Sequence, residues 1–200
     1  SIVFTISQTS KDDIIKTYRV SDEKVIVTYP GIKNESRIMS EESGKEMIGK
    51  KYGVKGQYIL FVGTLQPRKN IARLIEAFSK LETKRLRYKD IKLIVVGKKG
   101  WLYEEILEAP KKFNIEDRVK FLDFVPDEDL PSFYKNALGF VLPSLYEGFG
   151  LPVLEAMKYG CPVITSNISS LPEAGGEAAL YVDPLNVEDI KNNLQLIINP

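Results

Sequence analysis

The sequence predicts an α/β fold in which a Rossmann-like parallel sheet is flanked by helices. Short apolar runs alternate with longer amphipathic stretches along the chain, which is the pattern of successive βαβ units. Parallel neighbouring strands need such crossover helices, so the alternation favours a parallel sheet. The 200 residues suffice for one such domain, or for one domain plus a fragment of another.

The predicted strands are short runs rich in Val, Ile, Leu, Phe and Tyr. Their length is typical of strands and too short for helices. In chain order they are Ile2–Ile6, Val25–Tyr29, Tyr58–Val62, Lys92–Val96, Val119–Leu122, Phe140–Leu142, Val163–Thr165 and Ala179–Val182.

The predicted helices lie between these strands and carry apolar residues at helical spacing. The best delimited one repeats apolar residues from Ile71 to Leu81, and we expect Asn70 to be its N-cap. The full set is Gln8–Tyr18, Glu41–Tyr52, Ile71–Leu81, Tyr103–Phe113, Glu128–Asn136, Leu151–Tyr159, a short turn near Leu171–Ala174, and Val187–Ile198.

Turn residues and a polar stretch after the second predicted strand indicate a domain boundary. Pro30 and Gly31 open this stretch, which continues to Ser36. We therefore expect residues 1–35 to be the remnant of a preceding domain with its hinge, and residues 36–200 to be the main domain. The chain starts without methionine on a predicted strand, so we also expect it to be a piece of a longer protein.

Charge and composition exclude several classes of function. The 28 Lys and Arg residues against 27 Asp and Glu residues give a net charge of +1, which provides no basic field for binding nucleic acid. The absence of histidine removes Ser-His-Asp and Cys-His catalysis and histidine metal ligands. No apolar run approaches the ~20 residues of a membrane span. The one cysteine, Cys161, is expected to be a small buried hydrophobe in a reducing compartment, which predicts a cytoplasmic protein.

A pair of cations follows the predicted strand Tyr58–Val62. Within Gly63–Asn70, Arg68 and Lys69 stand at the N-terminus of the next helix, where positive charge opposes the helix macrodipole. Either an anion such as phosphate balances these charges, or both side chains point into water. Ligands of open parallel sheets bind beyond the carboxyl ends of the strands, so this segment is a candidate anion site.

Two glutamates, eight residues apart, flank a glycine loop after the predicted strand Phe140–Leu142. Glu147 precedes Gly148–Leu151, and Glu155 lies about one turn into the following helix. The free backbone N–H groups of Gly148–Leu151 would face a ligand. The carboxylates suit the vicinal hydroxyls of a ribose or sugar ring, and the alternative is that they are solvated helix charges. We expect both to lie near one mouth of the sheet.

Three further segments are less informative. The small polar residues in Thr165–Glu173 either donate to phosphate or cap the next helix. Asp127 and Asp129 match an Asp-x-Asp metal pattern, but they start a predicted helix, so we interpret them as capping residues. Trp101 opens an amphipathic helix and is expected in the core, with stacking on a base as the alternative.

Together these segments resemble the nucleotide-sugar half of retaining glycosyltransferases with the GT-B fold, the glycosyl transferases group 1, or family four. The resemblance covers about Val25–Pro200, and its most specific part is Glu147–Met157, which matches the family's Glu-x7-Glu motif. It implies that residues 36–200 form the nucleotide-sugar-binding Rossmann-like domain, the C-terminal half of a GT-B fold. Residues 1–35 resemble the last βα unit of the N-terminal domain and its run-in to the hinge.

The resemblance also implies roles for the two glutamates and the loop between them. Glu155 would bind the ribose hydroxyls of the donor, and Glu147 would contact the transferred sugar. Backbone groups of the loop would bind the sugar and the diphosphate; they belong to Gly148, Phe149, Gly150 and Leu151.

The cations and a second loop receive roles by the same resemblance. Lys69 would bind the diphosphate. Many members carry an arginine directly after the glycine at Gly63, where this chain has Thr64, and Arg68 would supply that charge instead. The family would place the base against the backbone around Val125.

As a member of this family, the parent protein would transfer a sugar from a nucleotide-diphosphate sugar to a glycan or lipid-linked acceptor, without a bound metal or other cofactor. The acceptor would bind through the missing N-terminal domain, and the full-length protein would be cytoplasmic or peripheral at the membrane. The segment Gly63–Asn70 resembles mannosyltransferases of polysaccharide or O-antigen assembly, which implies GDP-mannose. The isolated chain is expected to be inactive.

Three alternatives stay open at this point. A nucleotide-sugar epimerase of the GT-B type would share the architecture and part of the phosphate site. A non-catalytic interaction domain would keep the fold and bind no nucleotide. A metal-dependent transferase would use Asp127 and Asp129.

Overall fold

A computed structural model describes residues 1–32, 40–82 and 90–199. In these ranges the chain forms a two-stranded parallel sheet and a six-stranded parallel sheet, with helices between the strands. This is the predicted α/β class. The predicted boundary between residues 35 and 36 lies outside the described residues.

All predicted strands are present in the structure, and the first two are shorter than expected because β1 and β2 pair over three residues each. The strands are β1 (Val3–Thr5), β2 (Val25–Val27), β3 (Tyr58–Val62), β4 (Lys92–Val96), β5 (Val119–Leu122), β6 (Gly139–Leu142), β7 (Val163–Ser166) and β8 (Ala179–Val182).

The predicted helices are also present: three have the predicted ends, and the ends of the others differ by one or two residues. Short 3₁₀ turns cover Asp22–Lys24 and Pro67–Lys69. The helices are α1 (Gln8–Tyr18), α2 (Glu41–Tyr52), α3 (Ile71–Ser79), α4 (Glu104–Lys112), α5 (Leu130–Asn136), α6 (Leu151–Lys158), α7 (Leu171–Gly175) and α8 (Val187–Ile198).

The strands of the larger sheet lie in the order β5-β4-β3-β6-β7-β8, and all of them are parallel. Counted from β3 this is the 3-2-1-4-5-6 order of dinucleotide-binding sheets. The central strands β3, β4 and β6 are almost wholly buried, because helices cover both faces of a parallel sheet. The order reverses between β3 and β6, and the loops that leave these two strands meet at the carboxyl edge, where the Leu145 N–H donates to the Arg68 carbonyl at 2.8 Å.

Gly97 allows the loops after β3 and β4 to touch. A Cβ at Gly97 would lie 1.9 Å from the carbonyl oxygen of Gly63, a distance that no side-chain carbon tolerates. Hydrogen bonds from Gly63 N–H to the Val96 carbonyl and from Leu65 N–H to the Lys98 carbonyl continue the contact beyond the strands. The loop after β3 is therefore held firmly before it reaches the basic pair.

Asn70 occupies the N-cap position of α3, but its side chain does not cap the helix, so the expected capping hydrogen bond is wrong. Its backbone is left-handed, with φ of 59°, whereas a capping side chain needs an extended backbone. The Asn70 amide instead donates to the carbonyls of Pro143 and Pro184, at 3.0 and 2.7 Å. Asn70 thus ties the start of α3 to the loops after β6 and β8.

The N-terminal βαβ unit joins the rest of the chain through Glu173 of α7. The Glu173 carboxylate accepts hydrogen bonds from the N–H groups of Gln8 and Thr9, at 2.7 and 3.0 Å, and from the Thr9 hydroxyl. The Tyr29 hydroxyl adds a fourth, at 3.3 Å. A carboxylate is stabilising at the positive N-terminus of a helix, here α1.

Candidate functional site

The central feature of the carboxyl edge is a group of charged side chains between the loops that leave β3 and β6. Arg68 and Lys69 come from the first loop, and Glu147 comes from the second. These loops flank the point where the strand order reverses, which is where open α/β sheets bind their ligands. Residues that are far apart in the sequence therefore meet where the topology predicts a site.

Glu147 is the centre of this group and is only 6% exposed. Its Oε1 accepts hydrogen bonds from the Lys69 ammonium at 2.5 Å and from the Ser144 hydroxyl at 2.7 Å. Its Oε2 accepts from the Arg68 guanidinium at 2.9 Å, and the same Arg68 nitrogen also donates to the Tyr146 carbonyl. We name Arg68, Lys69, Ser144 and Glu147 the Glu147 cluster.

The environment of Glu147 keeps its carboxyl ionised. Burial by itself raises the pKa of this group. The charge and hydrogen bond of Lys69, followed by the hydrogen bonds of Ser144 and Arg68, outweigh burial, so the pKa lies below its ordinary value. The Glu147 carboxylate therefore forms ion pairs with both cations.

The loop that carries Glu147 is fastened by serines that follow β7. The Glu147 carbonyl accepts from the hydroxyls of Ser169 and Ser170, both at 2.8 Å, and its N–H donates to the Ser169 oxygen. Ser166 donates to the Ser144 carbonyl at 2.7 Å. Of the two expectations for these small polar residues, helix capping is wrong at Ser170, whose side chain makes no capping bond to α7. These serines position the Glu147 backbone instead.

The glycine loop turns sharply into α6. Gly150 has φ of 103°, and a Cβ there would lie 2.8 Å from a methyl group of Leu171, so glycine is required on both counts. The Phe149 ring is buried and lies 5.7 Å from the Tyr29 ring, which anchors the loop to the N-terminal unit. As the first residue of α6, Leu151 has an N–H group without an intrahelical acceptor. The neighbouring Gly148 also contacts the N-terminal unit, because its carbonyl accepts from Ser10 at 3.4 Å.

Glu155 lies in α6 and has different partners from Glu147. Its Oε2 accepts a hydrogen bond from the Tyr134 hydroxyl at 2.8 Å. Both residues line a pocket of about 90 Å³, and the other described residues that line it are Ile32, Asp127, Leu130, Pro131 and Tyr159. The described residues give the two glutamates no common hydrogen-bond partner, so Glu155 serves a separate part of the carboxyl edge.

The loop after β5 supplies a buried residue beside an exposed aromatic one. The Val125 side chain is 4% exposed and belongs to the core, which leaves its backbone as the part able to meet a ligand. Phe124 is 59% exposed, and the Lys98 ammonium lies 4.6 Å from the centre of its ring. An exposed aromatic face under a cation is a surface on which a planar ring can stack.

The Asp-x-Asp pair is divided between two environments. Asp129 accepts hydrogen bonds from Lys51 at 2.6 Å and from the Tyr52 hydroxyl, and its side chain makes no capping bond to α5. The capping expectation is therefore wrong for Asp129, because the end of α2 lies within its reach. Asp127 is exposed and lines the pocket that contains Glu155.

The expectations for Trp101 and Cys161 have opposite outcomes. Trp101 is 57% exposed, so the expectation that it lies in the core is wrong. The helix α4 begins only at Glu104, and the backbone of Leu102 is left-handed, with φ of 51°, so Trp101 lies in the loop before the helix. Cys161 is buried, and burial raises the pKa of its thiol to about 12, as expected of a structural cysteine.

Sequence reasoning found both cations, both glutamates and the glycine loop, but it missed the side chains that hold them. Ser144 precedes Glu147 by three residues, and no spacing rule distinguishes it from the other serines. Tyr134 reads as an ordinary apolar position of a helix. Both become partners of the site only through the tertiary fold.

An open parallel sheet with this strand order and a charged group at the reversal point is an α/β ligand-binding domain of the Rossmann-like class. Residues 45–199 match the family described as Glycosyl transferases group 1. The chain therefore belongs to this family, which confirms the resemblance seen in its motifs.

Similar proteins include two enzymes named for O-antigen synthesis. The chain is 37% identical over 195 residues to O-antigen chain mannosyltransferase B of Escherichia coli, covering 96% of this chain and 50% of that protein. It is 34% identical over 182 residues to O-antigen chain mannosyltransferase RfbU of Salmonella typhimurium, covering 91% of this chain and 46% of that protein. The chain thus spans about half the length of these curated relatives.

Solved structures show the same fold at lower sequence identity. A glycosyltransferase from Rickettsia africae matches with a TM-score of 0.84 and 19% identity, over 98% of this chain and 53% of that one. Anabaena HepE, solved in complex with UDP and glucose, matches with a TM-score of 0.82 and 23% identity, over 100% of this chain and 54% of that one. No helix of the described residues is long and apolar enough to cross a membrane.

Proposed function

We propose that this chain is the donor-binding domain of a retaining glycosyltransferase that moves a sugar from a nucleotide-diphosphate sugar to a glycan or lipid-linked acceptor. The observation that carries the proposal is the Glu147 cluster at the reversal point of the sheet, in a chain of the glycosyl transferases group 1 family. The acceptor would bind through a further domain, since the relatives are about twice as long as this chain.

The two cations are the proposed diphosphate ligands. Among the described residues the Lys69 ammonium donates only to Glu147, and an ammonium has three donors, so two of them are left for phosphate oxygens. Arg68 uses one nitrogen on the protein and keeps its other N–H donors. Cleavage of the sugar–phosphate bond develops negative charge on the departing diphosphate. Fixed cations at that place lower the barrier more than mobile water does.

The carboxylates are the proposed hydroxyl ligands. Glu147 would accept hydrogen bonds from the transferred sugar, and Glu155 from the ribose. Both oxygens of the Glu155 carboxylate keep acceptor capacity, which suits the vicinal hydroxyls of the ribose. In Glu147 the capacity left lies on Oε2, whose donor among the described residues is Arg68, and it suits one sugar hydroxyl. The backbone N–H groups of Gly148–Leu151 would complete the contacts to sugar and diphosphate at the start of α6. The lowered pKa of Glu147 supports this role, since the ionised carboxylate is a better hydrogen-bond acceptor than the protonated form.

The remaining parts of the proposal concern base, metal and place in the cell. The backbone at Val125 and the exposed Phe124 ring would meet the base, with the backbone of Gly63 beside the diphosphate. The transferred sugar would be mannose, as the names of the O-antigen relatives suggest, and the resemblance of Gly63–Asn70 to mannosyltransferases implies GDP-mannose as the donor. The reaction would need no bound metal, because the cations of the Glu147 cluster take its electrostatic part. The protein would be cytoplasmic or peripheral at a membrane.

The first experiment is a thermal shift of the 200-residue chain with UDP, GDP and ADP, each with and without EDTA. A ligand at 100 times its Kd adds about 2.7 kcal/mol, which raises the melting temperature by about 5–10 °C. We expect the largest rise with GDP, unchanged by EDTA.

Substitution links this rise to the site. Glu155→Ala should reduce the GDP-dependent rise, whereas Glu46→Ala, which removes a glutamate from an exposed ion pair on α2, should preserve it. A chain that responds to none of the three nucleotides, or responds equally with and without Glu155, would contradict the proposal. If the full-length protein formed epimerised donor in the absence of acceptor, the proposed activity would be epimerisation instead of sugar transfer.

A further inference from the structure

Tyr134 and Glu155 form a hydrogen bond at the pocket beside α6, and the two side chains differ in exposure. Tyr134 is 1% exposed, whereas Glu155 is partly exposed. The Tyr134 hydroxyl donates to Oε2 of Glu155 at 2.8 Å. The described residues offer Glu155 no other hydrogen bond from a side chain, so this one decides where its carboxylate lies.

We propose that Tyr134 is a positioning residue for donor binding, which holds the Glu155 carboxylate ready to accept hydrogen bonds from the ribose hydroxyls. The inference rests on the proposed function, because it needs Glu155 to bind the nucleotide. It extends that function to a residue of α5 that acts through the Glu155 carboxylate.

The Tyr134 ring is fixed on both sides. It packs edge-to-face with Phe140 of β6, with ring centres 5.5 Å apart, and it stacks on Tyr159 at 6.1 Å. A ring so placed delivers its hydroxyl to one point, in contrast to a long flexible side chain. Burial raises the pKa of Tyr134 well above its ordinary value, so the hydroxyl stays protonated and remains a donor.

The hydrogen bond from Tyr134 leaves acceptor capacity on Glu155. A carboxylate has about four lone-pair directions, and Tyr134 uses one of them. An unsupported glutamate loses rotamer freedom when it binds a ligand, and this loss weakens binding. Tyr134 orders the carboxylate before the ligand binds, so this loss of side-chain entropy does not reduce the free energy of binding.

The lining of the pocket supports a neutral ligand rich in hydroxyls. It contains the carboxylates of Asp127 and Glu155 and apolar side chains such as Ile32 and Leu130, and among the described residues that line it there is no lysine or arginine. Carboxylates without a cation repel phosphate and accept from hydroxyl groups. The pocket therefore differs in charge from the Glu147 cluster, which contains the cations Arg68 and Lys69.

The test compares Tyr134→Phe with a matched loss of a buried tyrosine hydroxyl. Tyr58 donates to the Phe133 carbonyl at 2.8 Å and is 3% exposed, so Tyr58→Phe is the control. Calorimetry on the 200-residue chain measures the Kd of the nucleoside diphosphate that the wild type binds among UDP, GDP and ADP, and of its 2′,3′-dideoxy analogue. Tyr134→Phe should raise the Kd of the ribonucleotide about tenfold and leave that of the dideoxy analogue unchanged. Tyr58→Phe should change neither.

Three further variants keep the result decisive. Glu155→Gln should remove the preference for the ribonucleotide, and adding Tyr134→Phe to it should weaken binding no further. Tyr134→Met, which fills a similar space without a hydroxyl, should repeat the effect if the phenylalanine variant does not fold.

The failures are distinguishable. Binding that depends on Glu155 but not on the Tyr134 hydroxyl would overturn the inference and leave the proposed function standing. Equal weakening of both nucleotides by Tyr134→Phe would also overturn it, since that pattern indicates a structural role. A wild-type chain that binds none of the three nucleotides would overturn the proposed function and the inference together.

Discussion

The Lys69 ammonium lies 2.5 Å from Oε1 of Glu147, and both side chains are more than nine-tenths buried. This pair joins the loop after β3 to the loop after β6. Arg68 adds a second, half-exposed cation on the other carboxylate oxygen. The pair is therefore both the centre of the candidate site and a tie between the two halves of the sheet.

Loss of Lys69 should be costly for stability. In Lys69→Met the Glu147 carboxylate remains buried with only its weaker partners, so we expect the free energy of unfolding to fall by about 3 kcal/mol. Removing the carboxylate as well, in Lys69→Met with Glu147→Met, should recover most of this loss, because no buried charge is left unpaired. Urea denaturation measures both. A double variant no more stable than the single one would contradict the argument.

Acid should weaken the chain through Glu147. Its folded-state pKa is lowered, so the native state binds fewer protons than the unfolded state and stability increases with pH in this range. The contribution is complete above the unfolded value of about 4.3 and is lost as the pH falls through the lower folded value. Urea denaturation between pH 6 and 3 should give a flatter pH dependence for Glu147→Gln than for the wild type. Equal slopes would refute this assignment.

The attachment of the N-terminal unit should depend on Glu173. Burial raises the pKa of this carboxyl, but hydrogen bonds from Thr9 and Gln8 lower it more, so it is ionised where it meets α1. Glu173→Gln removes the charge at the helix N-terminus, and amide hydrogens of α1 should exchange about fivefold faster, which equals about 1 kcal/mol. Hydrogen exchange followed by mass spectrometry measures this. Glu188→Gln in an exposed ion pair on α8 is the control, and unchanged exchange in α1 would exclude the proposed tie.

The contact between the loops after β3 and β4 should not tolerate a side chain. In Gly97→Ala the new carbon would overlap the Gly63 carbonyl oxygen, so we expect a destabilisation of about 3 kcal/mol and weaker nucleotide binding. Gly31→Ala is the control, since a Cβ at Gly31 meets nothing within 4 Å. Thermal unfolding and calorimetry provide the two measurements. If both variants behaved like the wild type, the close approach would have no role.

The fold could be predicted because its signals are local and redundant. Apolar runs such as Tyr58–Val62 and Lys92–Val96 alternate with helical patterns, and each agrees with its neighbours. The predictions that are wrong concern single side chains. Asn70 has the composition of a cap but a left-handed backbone, and Trp101 lies before its helix rather than on it. In both cases the course of the backbone, and not residue type, decides where the side chain lies.

Only part of the candidate site could be predicted from the sequence. Spacing identifies Glu147, Glu155 and the loop between them, since they lie within one short segment. It does not identify Tyr134 as the partner of Glu155, because that hydrogen bond joins two helices separated by a strand.

The sequence by itself determined the class of fold, the family motif and the residues with charge or glycine at the carboxyl edge. These depend on periodicity and on groups near one another in the chain. Only the tertiary structure decided that Lys69 pairs with Glu147, that the serines after β7 hold the Glu147 loop, and that Glu173 receives α1. Such contacts depend on the order of strands in the sheet. That order is set by how the whole chain packs, so residues 78 or 165 positions apart become neighbours.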